Sequence, residues 1–191
     1  MSQSSMVNSS GVASESGSYG VVTEPRTLRL ERVLPGPIER VWAYLTESEK
    51  RGKWLASGDM EIREGGQVRL VFHNTKLSAH DEPTPERFKK HEGSGFEARI
   101  LRCEPPRLLS YTWGSKADSE VSFELTPQGN DVLLVLTHSR LPNRQTMLSV
   151  SSGWHAHLGI LGALLEGREP GPFWSEIERL EAEYEQRIPA E

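Results

Sequence analysis

Residues 143–166 read NRQTMLSVSSGWHAHLGILGALLE. At helical periodicity, Met147, Val150, Trp154, Leu158, Leu161 and Leu165 recur at steps of three or four and form one apolar stripe. Pro142 precedes the stretch and Gly167 follows it, as the start and stop of a helix should. Such a helix is roughly 36 Å long, enough to cross a whole domain. Everything before it reads as short β segments, so this long amphipathic helix needs a sheet to lie on. Its interior glycines each cost about 1 kcal/mol relative to Ala. Close packing is expected at Gly153 beside Trp154. Gly159 and Gly162 are read either as close packing or as space left for a ligand.

Upstream, Arg26–Leu34 (RTLRLERVL) alternates. Leu28, Leu30 and, less strictly, Val33 oppose Arg29 and Glu31, the pattern of a half-buried strand. Pro37 suits a first helical turn with Gly36 as its cap, and Ile38, Val41, Trp42 and Leu45 give that helix its apolar face. Thr46-Glu47-Ser48-Glu49 has the form of a capping box and starts a second short helix carrying Trp54 and Leu55. Met60–Arg63, a Gly65-Gly66 turn and Gln67–His73 read as a hairpin. Further strands cover Gly95–Cys103, Arg107–Trp113, Glu120–Leu125 and Asp131–Arg140, with Gly129-Asn130 as a hairpin turn. Strand parity puts Cys103 opposite Phe96, Ala98 and Ile100. Residues 74–92 (NTKLSAHDEPTPERFKKHE) have no periodicity and read as a long loop or irregular lid. Phe173–Ile188 reads as a charged helix with the stripe Phe173, Ile177, Leu180 and Tyr184.

These elements divide the chain of 191 residues into three. Residues 1–22, rich in Ser and Gly with Glu15 as the only charge, read as a disordered tail. Residues 23–167 read as one domain, and 168–191 as a C-terminal helical extension. Net charge is −5 and hydrophobic content 36%. An acidic chain argues against nucleic acid or an anionic membrane surface as partner. Cys103 is the single cysteine, which excludes an intramolecular disulfide and a zinc-type Cys pair. No apolar run reaches transmembrane length, and the N-terminus lacks an apolar signal core. The expectation is a cytoplasmic protein with no cofactor, no metal and no membrane insertion.

The element order and five ordered motifs carry a resemblance. They are Pro37-Ile38-Glu39-Arg40-Val41-Trp42 with Trp54; Gly65-Gly66; Pro105-Pro106-Arg107-Leu108-Leu109-Ser110-Tyr111-Thr112-Trp113; Leu136-Thr137-His138-Ser139; and Gly153-Trp154-His155-Ala156-His157-Leu158. Over about Arg26 to Glu166 the chain resembles the START/Bet v-like helix-grip superfamily (SRPBCC), most closely the branch of activator of Hsp90 ATPase homologues. The resemblance implies an α+β helix-grip fold, with a curved antiparallel sheet wrapped around a long C-terminal helix and two short helices after the first strand. It also implies a cavity between sheet and helix. Members bind lipids, hormones or polyketides, catalyse ring closures, or regulate other proteins, and fold alone does not choose among these.

The expected function is therefore binding of a small apolar molecule, lipid-like or aromatic, in an interior cavity. Strand parity and the helix stripe give its lining. Val68, Leu70, Phe72, Tyr111, Trp113, Phe123 and His138 come from the sheet, and Trp154, His157 and Leu161 from the helix. Two alternatives stand beside this reading. One is a protein-interaction regulator of the heat-shock ATPase activator type, with a chaperone or a second copy of the chain as partner. The other is a cyclase- or hydrolase-like enzyme using polar groups of the cavity. No catalytic residue is assigned. His138 shares strand parity with Leu134 and Leu136, and is read as a satisfied core histidine in preference to a general base. His155 and His157 point roughly 200° apart on a helix and cannot chelate one ion. His80, Asp81, Glu82 and His91 lack a recognised ligand spacing and are read as a solvated charged loop.

Overall fold

The computed structural model describes residues 19–190. The strands are β1 (Val21–Glu24), β2 (Thr27–Pro35), β3 (Gln67–Val71), β4 (Gly95–Glu104), β5 (Leu108–Trp113), β6 (Ser119–Gln128) and β7 (Asp131–Ser139). They form one open antiparallel sheet in the order β1-β2-β7-β6-β5-β4-β3. The β6–β7 hairpin turns through Gly129, whose φ of +62° suits the first position of a two-residue loop. Alternation aims Val121, Phe123 and Leu125 of β6 and Leu134, Leu136 and His138 of β7 at the core, and all six are buried.

Two short helices, α1 (Ile38–Thr46) and α2 (Ser48–Arg51), follow β2, and a four-residue helix α3 (Glu86–Lys89) interrupts the long loop. The long helix α4 (Arg144–Leu165) lies on the sheet, and α5 (Phe173–Arg187) packs on α4. The helix-grip arrangement expected from the sequence is what forms. The α4 cap is Asn143, whose Oδ1 accepts from the Thr146 N–H at 2.8 Å. The helix ends in a Schellman turn. Gly167 has φ +69°, its N–H donates to the Leu164 carbonyl, and the Arg168 N–H donates to Ala163. Among the described residues no helix is long and apolar enough to cross a membrane.

Several local expectations are corrected. Residues 1–18 of the expected tail lie outside the described residues, but Tyr19–Val22 belong to the domain. The Gly20 N–H donates to Tyr184 Oη at 2.7 Å, Tyr19 packs edge-on against His155 and Tyr184, and Val21–Glu24 pair with β2. Helix α1 is preceded by Pro37, not capped by Gly36, and the capping box does not form, because the Thr46 hydroxyl donates back to the Trp42 carbonyl. The corner beyond α2 is held instead by Arg51, a fully buried guanidinium. It donates to the carbonyls of Ala56 at 3.1 Å, Thr46 at 2.8 Å and Gly58. The expected Met60–Arg63 arm is reduced to single bridges, Ser57 to Val71 and Met60 to Val68. A bulge between Ile100 and Arg102 reverses parity in β4, so Cys103 pairs with Leu109 and packs on the core from the same face as Ile100.

The 74–92 segment is a strap across α5. Glu82 accepts from the N–H groups of Trp174 and Ser175, both at 3.0 Å, capping α5 from outside its own sequence. Phe88 stacks on Trp174 with ring centres 5.1 Å apart, and Arg87 pairs with Glu181 at 2.6 Å. Among the described residues His80, Asp81 and His91 join no group able to hold a metal ion.

Candidate functional site

The ten residues expected to line a cavity do come together, but as packed core. Val68, Leu70, Tyr111, Phe123, His138, Trp154 and Leu161 are each at most 2% exposed, and His157 is 7% exposed. Only Phe72 and Trp113 are half-buried. Their rings fill the space between sheet and α4. Trp113 lies 4.7 Å from Trp154, Phe123 lies 5.7 Å from Trp154, and Tyr111 lies 5.9 Å from Phe123. The interior position expected for a ligand is thus occupied by side chains of the chain itself.

The polar groups around His138 are mutually satisfied, whereas the buried Ser110 and Ser151 hydroxyls have no hydrogen-bond partner among the described residues. Trp154 Nε1–H donates to His138 Nδ1 at 2.9 Å. That fixes the ring proton on Nε2, which donates to Ser119 Oγ at 3.0 Å, and Ser119 donates on to the Trp113 carbonyl at 3.2 Å. Burial lowers the His138 pKa to about 4, so the ring is neutral. With both nitrogens committed, His138 has no lone pair to offer a substrate, and the general-base role weighed for it loses its chemistry. His157 is likewise held. Its Nδ1–H donates to the Trp54 carbonyl at 2.7 Å, joining α4 to the corner beyond α2.

Open space lies on the other flank of α4. A hollow of about 400 Å³, within the size range of small-molecule sites, is lined by β2, α4, α5 and the segment between the two helices, and opens to the surface. Its floor is built by small residues of α4, Ala156, Gly159 and Ala163, and one wall by Pro172 and Phe173. A Cβ at Gly159 meets nothing within 4 Å. The same holds at Gly153, where close packing was expected, while a Cβ at Gly162 reaches only a Leu34 methyl, at 3.9 Å. Of the three, Gly159 is the one that faces the hollow.

Charge enters this groove from three arginines, Arg32, Arg168 and Arg179, and from His155 and Glu176. His155 points away from His157, as their helical spacing requires, and its Nδ1 lies 3.0 Å from Tyr184 Oη. Burial, and then the neighbouring Arg32 charge, lower its pKa to about 4. Glu176 is gripped on both oxygens by Arg179, at 2.9 and 2.7 Å, which pulls its pKa below the usual carboxylate range. The sequence did contain the signal for Arg32. Strict alternation along β2 places Leu28, Leu30, Arg32 and Leu34 on one face. Val33, expected to face inward, is 59% exposed.

The family model for activator of Hsp90 ATPase homolog 1-like protein matches residues 35–166. Among solved structures, the protein encoded by gene BPP1335 from Bordetella parapertussis is 44% identical, over 90% of this chain and 91% of that one, with a TM-score of 0.76. CalU16 from Micromonospora echinospora is 24% identical over 84% of each chain, with a TM-score of 0.60. The Aha1 dimer from Colwellia psychrerythraea is similar in fold, at 17% identity over 73% of this chain and 96% of that one, with a TM-score of 0.54. No curated protein matches the chain.

Proposed function

The chain belongs to the activator of Hsp90 ATPase homolog 1-like family within the helix-grip superfamily, and we propose that this member binds a small, largely apolar molecule in the groove between β2, α4 and α5. The observation that carries the reading is the unfilled floor at Gly159, in a helix interior where glycine is otherwise a cost. Apolar walls supply affinity through burial, and a few polar groups at the rim orient the bound molecule. The ten interior residues keep a role as the rigid support behind the groove. They hold α4 in place on the sheet.

The test fills the groove without disturbing the core. Gly159→Leu adds a side chain into open space and replaces a helix-interior glycine with a better helix former. Stability is expected to rise by about 0.5–1 kcal/mol. Binding of a neutral apolar fluorophore such as N-phenyl-naphthylamine, clear for the wild type, is expected to disappear. Equal dye binding by wild type and Gly159→Leu would put the ligand elsewhere. Leu161→Trp serves as the contrast. Leu161 is fully buried, so the larger ring overpacks the core and costs about 1–3 kcal/mol.

A further inference from the structure

Arg32 stands on the inner face of β2 between Leu30 and Leu34, both buried, and opposite Leu134 of β7. A cation at such a position is costly unless something compensates its charge. Among the described residues its guanidinium makes one hydrogen bond, from Nη1 to the Glu31 carbonyl at 2.7 Å. The other cations of the groove are already matched. Arg168 donates to Glu166 at 2.6 Å, and Arg179 holds Glu176 with two bonds and also donates to Tyr19 Oη at 3.2 Å. Arg32 is therefore the groove's one cation with no carboxylate partner among the described residues, and it sits beside an apolar floor with space above it.

We infer that the groove takes an amphipathic carboxylate, its acid group on the Arg32 guanidinium and its apolar part over Gly159, Ala163 and Phe173. This rests on the groove being the binding site. A guanidinium presents parallel N–H donors that match the two oxygens of a carboxylate, and charge-assisted bonds of this kind are the strong ones. His155 adds a neutral donor nearby. The Tyr184 hydroxyl accepts from the Gly20 N–H, so its own proton can go to His155 Nδ1, leaving Nε2–H for the ligand.

Decanoate and decanol separate the charge from the chain. In displacement of N-phenyl-naphthylamine from the full-length protein near neutral pH, decanoate is expected to bind at least about tenfold more tightly than decanol, as a hydrogen-bonded charged group should. Arg32→Met, which keeps the length of the side chain in an apolar form, is expected to retain the fold and bind both molecules alike. Gly159→Leu is expected to bind neither. If wild type binds the two with equal affinity, the carboxylate inference is overturned while the groove reading stands. A preference that survives Arg32→Met overturns the assignment to Arg32, because another cation would be holding the acid. If wild type binds neither molecule nor the dye, the groove reading itself falls and this inference falls with it.

Discussion

Trp154→Ala is expected to lower the unfolding free energy by about 3–5 kcal/mol, the range for large aromatic deletions in cores. The indole is 2% exposed and lies against Trp113 and Phe123, with His138 also on its flank. Truncation removes those contacts at the midpoint of α4, where the helix meets the sheet. It also strands His138 Nδ1, whose only donor among the described residues is the indole N–H, and an unsatisfied buried acceptor costs about 1–3 kcal/mol. Trp154→Phe separates the two effects. It keeps most of the ring packing and loses the hydrogen bond, so its cost should fall clearly below that of the alanine variant. Urea unfolding of the three proteins at one pH gives the comparison. A loss under about 1 kcal/mol for Trp154→Ala would mean that α4 does not turn this face to the sheet.

Periodicity made α4 legible, and the order of the strands before it made the helix grip legible. Both signals come from burial of one face, which leaves its spacing in the sequence whatever the details of packing. Of the stripe, Met147, Trp154, Leu158, Leu161 and Leu165 are buried as read, and Val150 is half-buried. What periodicity did not show is that α4 is buried on two sides. Ala156, Ile160 and Ala163 are also buried, at the bottom of the groove that α5 forms with α4, and a helix packed on both sides has no single stripe to read. The candidate site was lost at the same point. Its floor is the α5-facing side of α4, and its cation lies on β2, where an inward Val33 would have put Arg32 on the opposite face.

Other features were hidden because they are made between distant segments. Glu82 caps a helix ninety or so residues further on, and nothing in the local sequence of either partner signals it. Arg51 reads as an ordinary charged residue of a short helix, yet its guanidinium serves three carbonyls around the corner beyond it. The bulge in β4 shifts parity by one, which no pattern of alternation predicts. In each case the sequence supplies a residue of suitable chemistry, and the tertiary fold supplies the partner.

Acid is expected to destabilise the protein well before its carboxylates titrate. His138 and His157 are held neutral, with pKa values lowered to about 4 chiefly by burial. In the unfolded chain each returns to about 6.5. Between those values the unfolded state binds more protons than the folded one, so stability is fully present above about pH 6.5 and is lost as pH falls toward 4. From pH 7 to pH 5 each ring should cost about 2 kcal/mol, on the order of 4 kcal/mol together. His155, also lowered to about 4, acts in the same direction. Glu82 and Glu176 are both depressed, so their contribution is lost only below the ordinary carboxylate range. The interval between pH 7 and 5 therefore isolates the histidines. His157→Asn places an amide N–H where Nδ1–H now donates to the Trp54 carbonyl, and it cannot titrate. Its unfolding free energy by urea should fall between pH 7 and 5 by about 2 kcal/mol less than that of the wild type. An identical fall in both proteins would show that His157 is not the neutral, buried link between α4 and the corner beyond α2.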